Sequence, residues 1–186
     1  MIRMSLVDQL PTLIGVVVGA GLSFTSTSFV ERSRWRRGQA VRWDERKLTA
    51  YAEFGNAVKD MVLLANRIAA GRGLNDHPQP MEPTEQNLAA LAEAAAQCSL
   101  LSEQLRLLAD EDTITASRAM NHRAYRLEWF AYGRLDGGPD AWQAAYLAYR
   151  DARDEYLGRA RASLQVEGPG IPRDRSWHNA VTNDPA

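Results

Sequence analysis

Few side chains in this sequence could do chemistry, and those few are far apart. His77, His122 and His178 are its three histidines, and Cys98 is its one cysteine. Imidazole and thiolate are common transition-metal ligands, and imidazole is a common general base. Neither role has its pattern here. No histidine has a glutamate three residues before it, the spacing used by helical di-iron bundles. HExxH, CxxC and the EF-hand loop are absent, as are GxxxxGK[ST], GxGxxG and GxSxG. His77 falls just before Pro78 in a loop, His122 on a helix and His178 in a tail. A single cysteine excludes an internal disulfide and a cysteine-rich metal site. Cys98 lies on an apolar stripe, which suits a small core residue better than a reactive thiol. No catalytic, cofactor-binding or metal residue is assigned, no cofactor is expected, and the chain is expected not to be an enzyme.

Two weaker groupings remain. Asp44, Asn56, Asn66, Arg126 and Glu128 lie close to apolar faces. An Arg–Glu pair buried among them would fix helix register. Charged groups are seldom fully buried, so all five are expected exposed or at the rim. Tyr125, Trp129, Tyr146 and Tyr149 could line a pocket between helices, the setting of a ligand-responsive regulatory or sensory domain.

The elements that would position these residues are helices. Val41, Leu48, Tyr51, Phe54, Val58, Met61, Ala65 and Ile68 recur at three- and four-residue steps, apart from one gap at Asp44, an amphipathic stripe. Gly71 and Gly73 end it, and Pro78, Pro80 and Pro83 hold the following loop open. Thr84 can cap a second helix with the stripe Leu88, Leu91, Ala95, Cys98, Leu101, Leu105 and Leu108. Asp110, Glu111 and Asp112 suit a third helix N-terminus. Pro139 suits the first turn of a fourth, with Trp142, Ala145, Tyr149, Ala152, Tyr156 and Ala160 on one face. The helices are expected at about 31–70, 84–109, 112–135 and 139–164, and short connections make neighbours antiparallel. Residues 166–186 show no periodicity and are expected to be a disordered tail.

Ahead of the bundle lies the longest uncharged run, 22 residues between Asp8 and Glu31. A helix of that length spans a hydrocarbon core of about 30 Å. Leu10, Leu13, Ile14, Val16, Val17, Val18, Leu22, Phe24, Phe29 and Val30 together contribute about −3 to −6 kcal/mol to insertion. Ser23, Thr25, Ser26, Thr27 and Ser28 weaken that sum. Arg32, Arg34, Arg36, Arg37, Arg42, Arg46 and Lys47 follow, against Arg3 and Asp8 in front. Basic flanks stay in the cytoplasm, so residues 10–30 are expected to be a transmembrane helix with a short outer stub at 1–9 and residues 31–165 inside. The rival is a secretory signal peptide cleaved after Val18-Gly19-Ala20. Gly15, Gly19, Ser23 and Thr27 fall four apart, and Gly15 and Gly19 form a GxxxG pair. That ladder of small residues predicts helix pairing, hence a homodimer. Arg32, Arg34, Trp35, Arg36, Arg37 and Trp43 form a neck suited to anionic lipid headgroups. No module for nucleic acid follows it, so no nucleic acid is expected, and a protein partner of unstated kind is.

The blocks Glu31-Arg-Ser-Arg-Trp-Arg-Arg and Arg42-Trp-Asp-Glu-Arg-Lys-Leu-Thr-Ala-Tyr, with Arg153-Asp-Glu-Tyr-Leu-Gly-Arg-Ala-Arg, resemble a group of small actinobacterial single-pass membrane proteins. The resemblance implies an Arg/Trp-rich neck and a helical cytoplasmic domain, and no activity. The whole is expected to be all-α: an N-terminal transmembrane helix continuing into a long helix of an antiparallel four-helix bundle. Its expected role is a membrane-anchored interaction or scaffold module.

Overall fold

The computed structural model describes residues 43–166 and residue 168. Among them are four helices and no strand. α1 is described over 43–71; α2 is Glu85–Leu108, α3 Glu111–Tyr132 and α4 Gly138–Ser163. The four-helix part of the expectation is present. The anchor at 10–30, most of the neck and the tail lie outside the described residues. Among the described residues no helix is long and apolar enough to cross a membrane.

Each helix starts and stops where its own residues satisfy the end groups. Thr84 Oγ1 accepts from the Asn87 N–H at 3.3 Å and opens α2. Asp110 accepts from the Thr113 N–H at 2.8 Å and opens α3, with Glu111 and Asp112 in the first turn. Burial alone would raise the Asp110 pKa. Hydrogen bonds from Ser163 and Thr113 and the charge of Lys47 outweigh it and hold the carboxyl below its usual range. α3 ends at Tyr132 rather than the expected Leu135. Gly133 adopts φ 70°, a left-handed conformation in which its N–H and that of Arg134 turn back to Phe130 and Trp129. Pro139 lies in the first turn of α4, as its fixed φ favours.

The interhelical contacts define an up-down-up-down bundle. The start of α1 meets the end of α4: Tyr51 Oη lies 2.9 Å from Ser163 Oγ, and Phe54 packs edge-on to Tyr156 at 5.5 Å. The end of α3 meets the start of α4 through Phe130 and Trp142, edge-on at 5.9 Å. α2 runs against α3, with the Tyr132 hydroxyl donating to the Leu88 carbonyl and the Tyr125 hydroxyl to the Ala95 carbonyl. α1 therefore runs parallel to α3 and antiparallel to α2 and α4.

The core is the set of facing stripes. Phe54, Val58, Met61, Ala65 and Ile68 of α1 are fully enclosed, as are Leu91, Cys98 and Leu105 of α2. Leu48, expected on the first stripe, is 57% exposed instead. Ala50, Tyr51 and Phe54 carry the buried face at this end of α1, and Leu48 turns away from it. Leu88, Leu101 and Leu108 are half-buried rather than central, leaving α2 anchored by Leu91, Ala95, Cys98 and Leu105.

The loop after α1 folds back on the helix it leaves. The Met81 N–H donates to the Arg67 carbonyl at 2.9 Å, and Arg67 Nε donates to the Gln79 carbonyl at 3.0 Å. This brings backbone against Gly71, where an added Cβ would overlap the Met81 carbonyl. Gly71→Ala is therefore expected to destabilise the bundle by about 1–3 kcal/mol. Gly158→Ala, at an exposed helical site with open space around it, is expected to stabilise it by up to about 1 kcal/mol. Urea unfolding of the two variants would show midpoints moving in opposite directions.

Candidate functional site

Of the residues singled out for membrane contact or pairing, only Trp43 is described. It stands at the start of the described part of α1 and is 49% exposed. Arg32, Arg34, Trp35, Arg36, Arg37, Gly15, Gly19 and Ser23 lie outside the described residues. His77 is half-buried in the loop, where its Nδ1 accepts from the Gln79 N–H at 3.1 Å. His122 is exposed on α3, and His178 lies outside the described residues. Among the described residues no three His, Cys, Asp or Glu side chains are grouped to hold a metal ion.

The four rings proposed as a pocket lining have different surroundings. The Tyr125 hydroxyl reaches Ser99 Oγ at 2.9 Å and the Ala95 carbonyl, both on α2. Tyr146 and Tyr149 are tilted against each other on α4 at 6.3 Å. Trp129 is 41% exposed.

Cys98 is enclosed in the core, and burial, reinforced by the negative charges of Asp60 and Glu128, pushes its thiol pKa up to about 12. A thiol held that firmly protonated is a core side chain, not a nucleophile.

Asp44, Asn56 and Arg126 are exposed and Asn66 is at the rim, but Glu128 is only 8% exposed. It has no hydrogen-bond or ion-pair partner among the described residues. Burial raises its pKa, and the positive charge of Arg134 offsets this in part. Asn121, seven residues earlier on the same side of α3, has a buried Oδ1 that also accepts no hydrogen bond in the described residues. Both face the side of α3 that carries Tyr125 and Tyr132 towards α2.

On the other flank of α2, an open groove of about 550 Å³ runs along the seam with α1. Glu53, Asn56, Ala57 and Asp60 line it from α1, and Ala94, Gln97, Leu101 and Gln104 from α2. No cation is among these residues. Neither Glu53 nor Asp60 has an ion-pair partner among the described residues. Sequence reading singled out Asn56 but missed the groove, because its walls come from two helices whose register the stripes do not fix. The available signal was the seven-residue repeat of Glu53 and Asp60 opposite that of Gln97 and Gln104.

Comparison with known proteins adds no relative. No protein-family model matches the chain, and neither a curated protein nor a solved structure is significantly similar to it. The chemistry of the groove and of Glu128 thus stands on geometry alone.

Glu128 has a testable energetic signature. Its folded-state pKa is raised, so the fold favours the protonated form. No penalty exists below the unfolded carboxylate pKa, and one grows as pH rises towards the folded value. Glu128→Gln is therefore expected to stabilise the protein at neutral pH by about 1 kcal/mol. The gain should fade below about pH 4, where the unfolded chain also holds the proton. Thermal unfolding of both proteins across that range measures the difference.

Proposed function

We propose that this chain is a membrane-tethered, self-associating helical module that presents its bundle as an interaction surface on the cytoplasmic side. The observation that carries this is the charge pattern: 22 uncharged residues between Asp8 and Glu31, followed at once by seven Arg and Lys residues through Lys47. That order favours retention of the basic flank, and all that follows, on the inner face. Trp35 and Trp43 among the arginines suit the headgroup layer, where each basic residue gains about 1 kcal/mol from anionic lipid.

Self-association draws support from two places. Gly15 and Gly19 leave room for close backbone approach by a second copy in the bilayer. On α2, Leu100 and Leu107 are seven residues apart and 65% and 84% exposed. A seven-residue apolar spacing is the kind that meets its counterpart across a two-fold axis.

A reporter active only in the cytoplasm, fused after Ala186, is expected to be active, and the chain should resist extraction from membranes by carbonate. Cross-linking in membranes should trap a dimer, and Gly19→Leu should lower its yield several-fold while leaving extraction unchanged. An inactive fusion, or a mature chain beginning at Gly21, would replace the anchor with a cleaved signal peptide.

A further inference from the structure

We propose that the face formed by α2 and α3 docks a second copy of this chain, about a twofold axis that runs along the helices over the seam between them. The proposal rests on the self-association argued above and fixes its geometry.

The face is divided by charge. Its α2 half exposes Glu93 and Glu103, and its α3 half exposes Arg118 and Arg126. Arg106 holds Glu103 at 2.9 Å within α2, but Glu93, Arg118 and Arg126 have no ion-pair partner among the described residues. The tyrosine contacts fix the heights of these groups. Tyr132 meets Leu88 and Tyr125 meets Ala95, so the two antiparallel helices pass each other in one register. Counted from those contacts, Glu103 stands level with Arg118, and Glu93 with Arg126 and Trp129, to within a helical turn.

In one copy these pairs stand side by side on neighbouring helices and form no ion pair. A twofold axis along the helices keeps every height and exchanges the two halves, so α2 of each copy lies antiparallel on α3 of the other. Glu103 then faces the partner's Arg118, and Glu93 the partner's Arg126. The partner's Trp129 comes over Ala92 and Ala96, exposed residues small enough to leave room for an indole. Leu107 comes to the partner's Ile114. Both copies have the start of α1 at the same end, as two chains anchored in one membrane require.

Other axes fit less well. An axis over α2 alone would bring Leu100 and Leu107 onto their own copies, but Glu93 and Glu103 lie on the same outer stripe and would meet like charges. An axis across the helices would put the two starts of α1 at opposite ends. The α2–α3 face is about 30 Å by 20 Å, or roughly 600 Å² on each copy, the lower end of what a specific interface buries.

The test is disulfide cross-linking of the full chain in membranes, with two differently tagged copies co-expressed, one Glu103→Cys and the other Arg118→Cys. Cys98 does not interfere, because its enclosed thiol stays protonated. The mixed pair is expected to be trapped as a dimer several-fold more efficiently than Glu103→Cys with itself. A second trap, Glu93→Cys with Arg126→Cys, reads the central contact. Glu103→Arg or Arg118→Glu carried in both copies should lower its yield several-fold, and the two together should restore it. Both side chains are exposed, so melting curves should match the parent's. No trapping of the mixed pair, equal trapping of Glu103→Cys with itself, or a double reversal that fails to recover would each overturn the proposal. Carbonate extraction reads the anchor separately, so a failure of tethering is not mistaken for a failure of this face.

Discussion

A tyrosine hydroxyl that has no water to turn to decides how the first and last helices meet. Tyr156 is fully enclosed, and its hydroxyl donates to the Tyr51 carbonyl at 2.9 Å. Leaving it unpaired there would cost about 1–3 kcal/mol. The same burial pushes its pKa well above the usual phenol range, so it remains a donor at any physiological pH. The bond sets the rotation and height of α4 on α1 together, because it pairs a side chain with a fixed point on the other helix. Phe54 then packs edge-on against the ring, and Tyr51 reaches Ser163. The hydrogen bond from Ser163 to Asp110 extends the arrangement to the cap of α3. One buried hydroxyl is thus connected through short links to three of the four helices.

α2 is held by a different kind of contact. Its inward face is short of bulk: Ala95 and Cys98 sit where α1 has Phe54, Val58 and Met61. Small side chains bury less apolar area, at about 25 cal/mol per Å². Tyr125 and Tyr132 compensate by sending hydroxyls from α3 to α2 carbonyls. Such bonds specify position better than they hold, since each is worth about 0.5–1.5 kcal/mol net. The α2–α3 seam is correspondingly polar, with Glu128 and the Asn121 Oδ1 buried near it.

Most of the helical map was legible in the sequence because it rests on local chemistry. Thr84, Asp110, Pro139 and the glycines at 71–73 mark ends by mechanisms that act within a turn of themselves. Where reading by stripe failed, the spacing pattern did not carry the feature that decided the outcome. Leu48 is a three-residue step from Tyr51, but it turns away from the face that Ala50, Tyr51 and Phe54 bury. Leu135 follows the pattern of α3, but Gly133 turns the chain first. Glu128 looked like a rim charge because burial of a carboxylate is rare, and only the packing between helices places it inside. The groove was invisible for the same reason, since it belongs to a register between helices and not to either one. The residues 10–30 and the neck remain a matter of charge order.

The groove and the buried glutamate share one physical origin. α2 carries alanine, glutamine and serine where a better-filled bundle would carry leucine, so neither of its seams closes with apolar bulk. On the α1 side the gap stays open to solvent and keeps two carboxylates hydrated. On the α3 side the seam closes around Glu128, whose burial raises its pKa and makes its charge costly there. α2 therefore lies between two sets of acidic groups, with its own Cys98 feeling both.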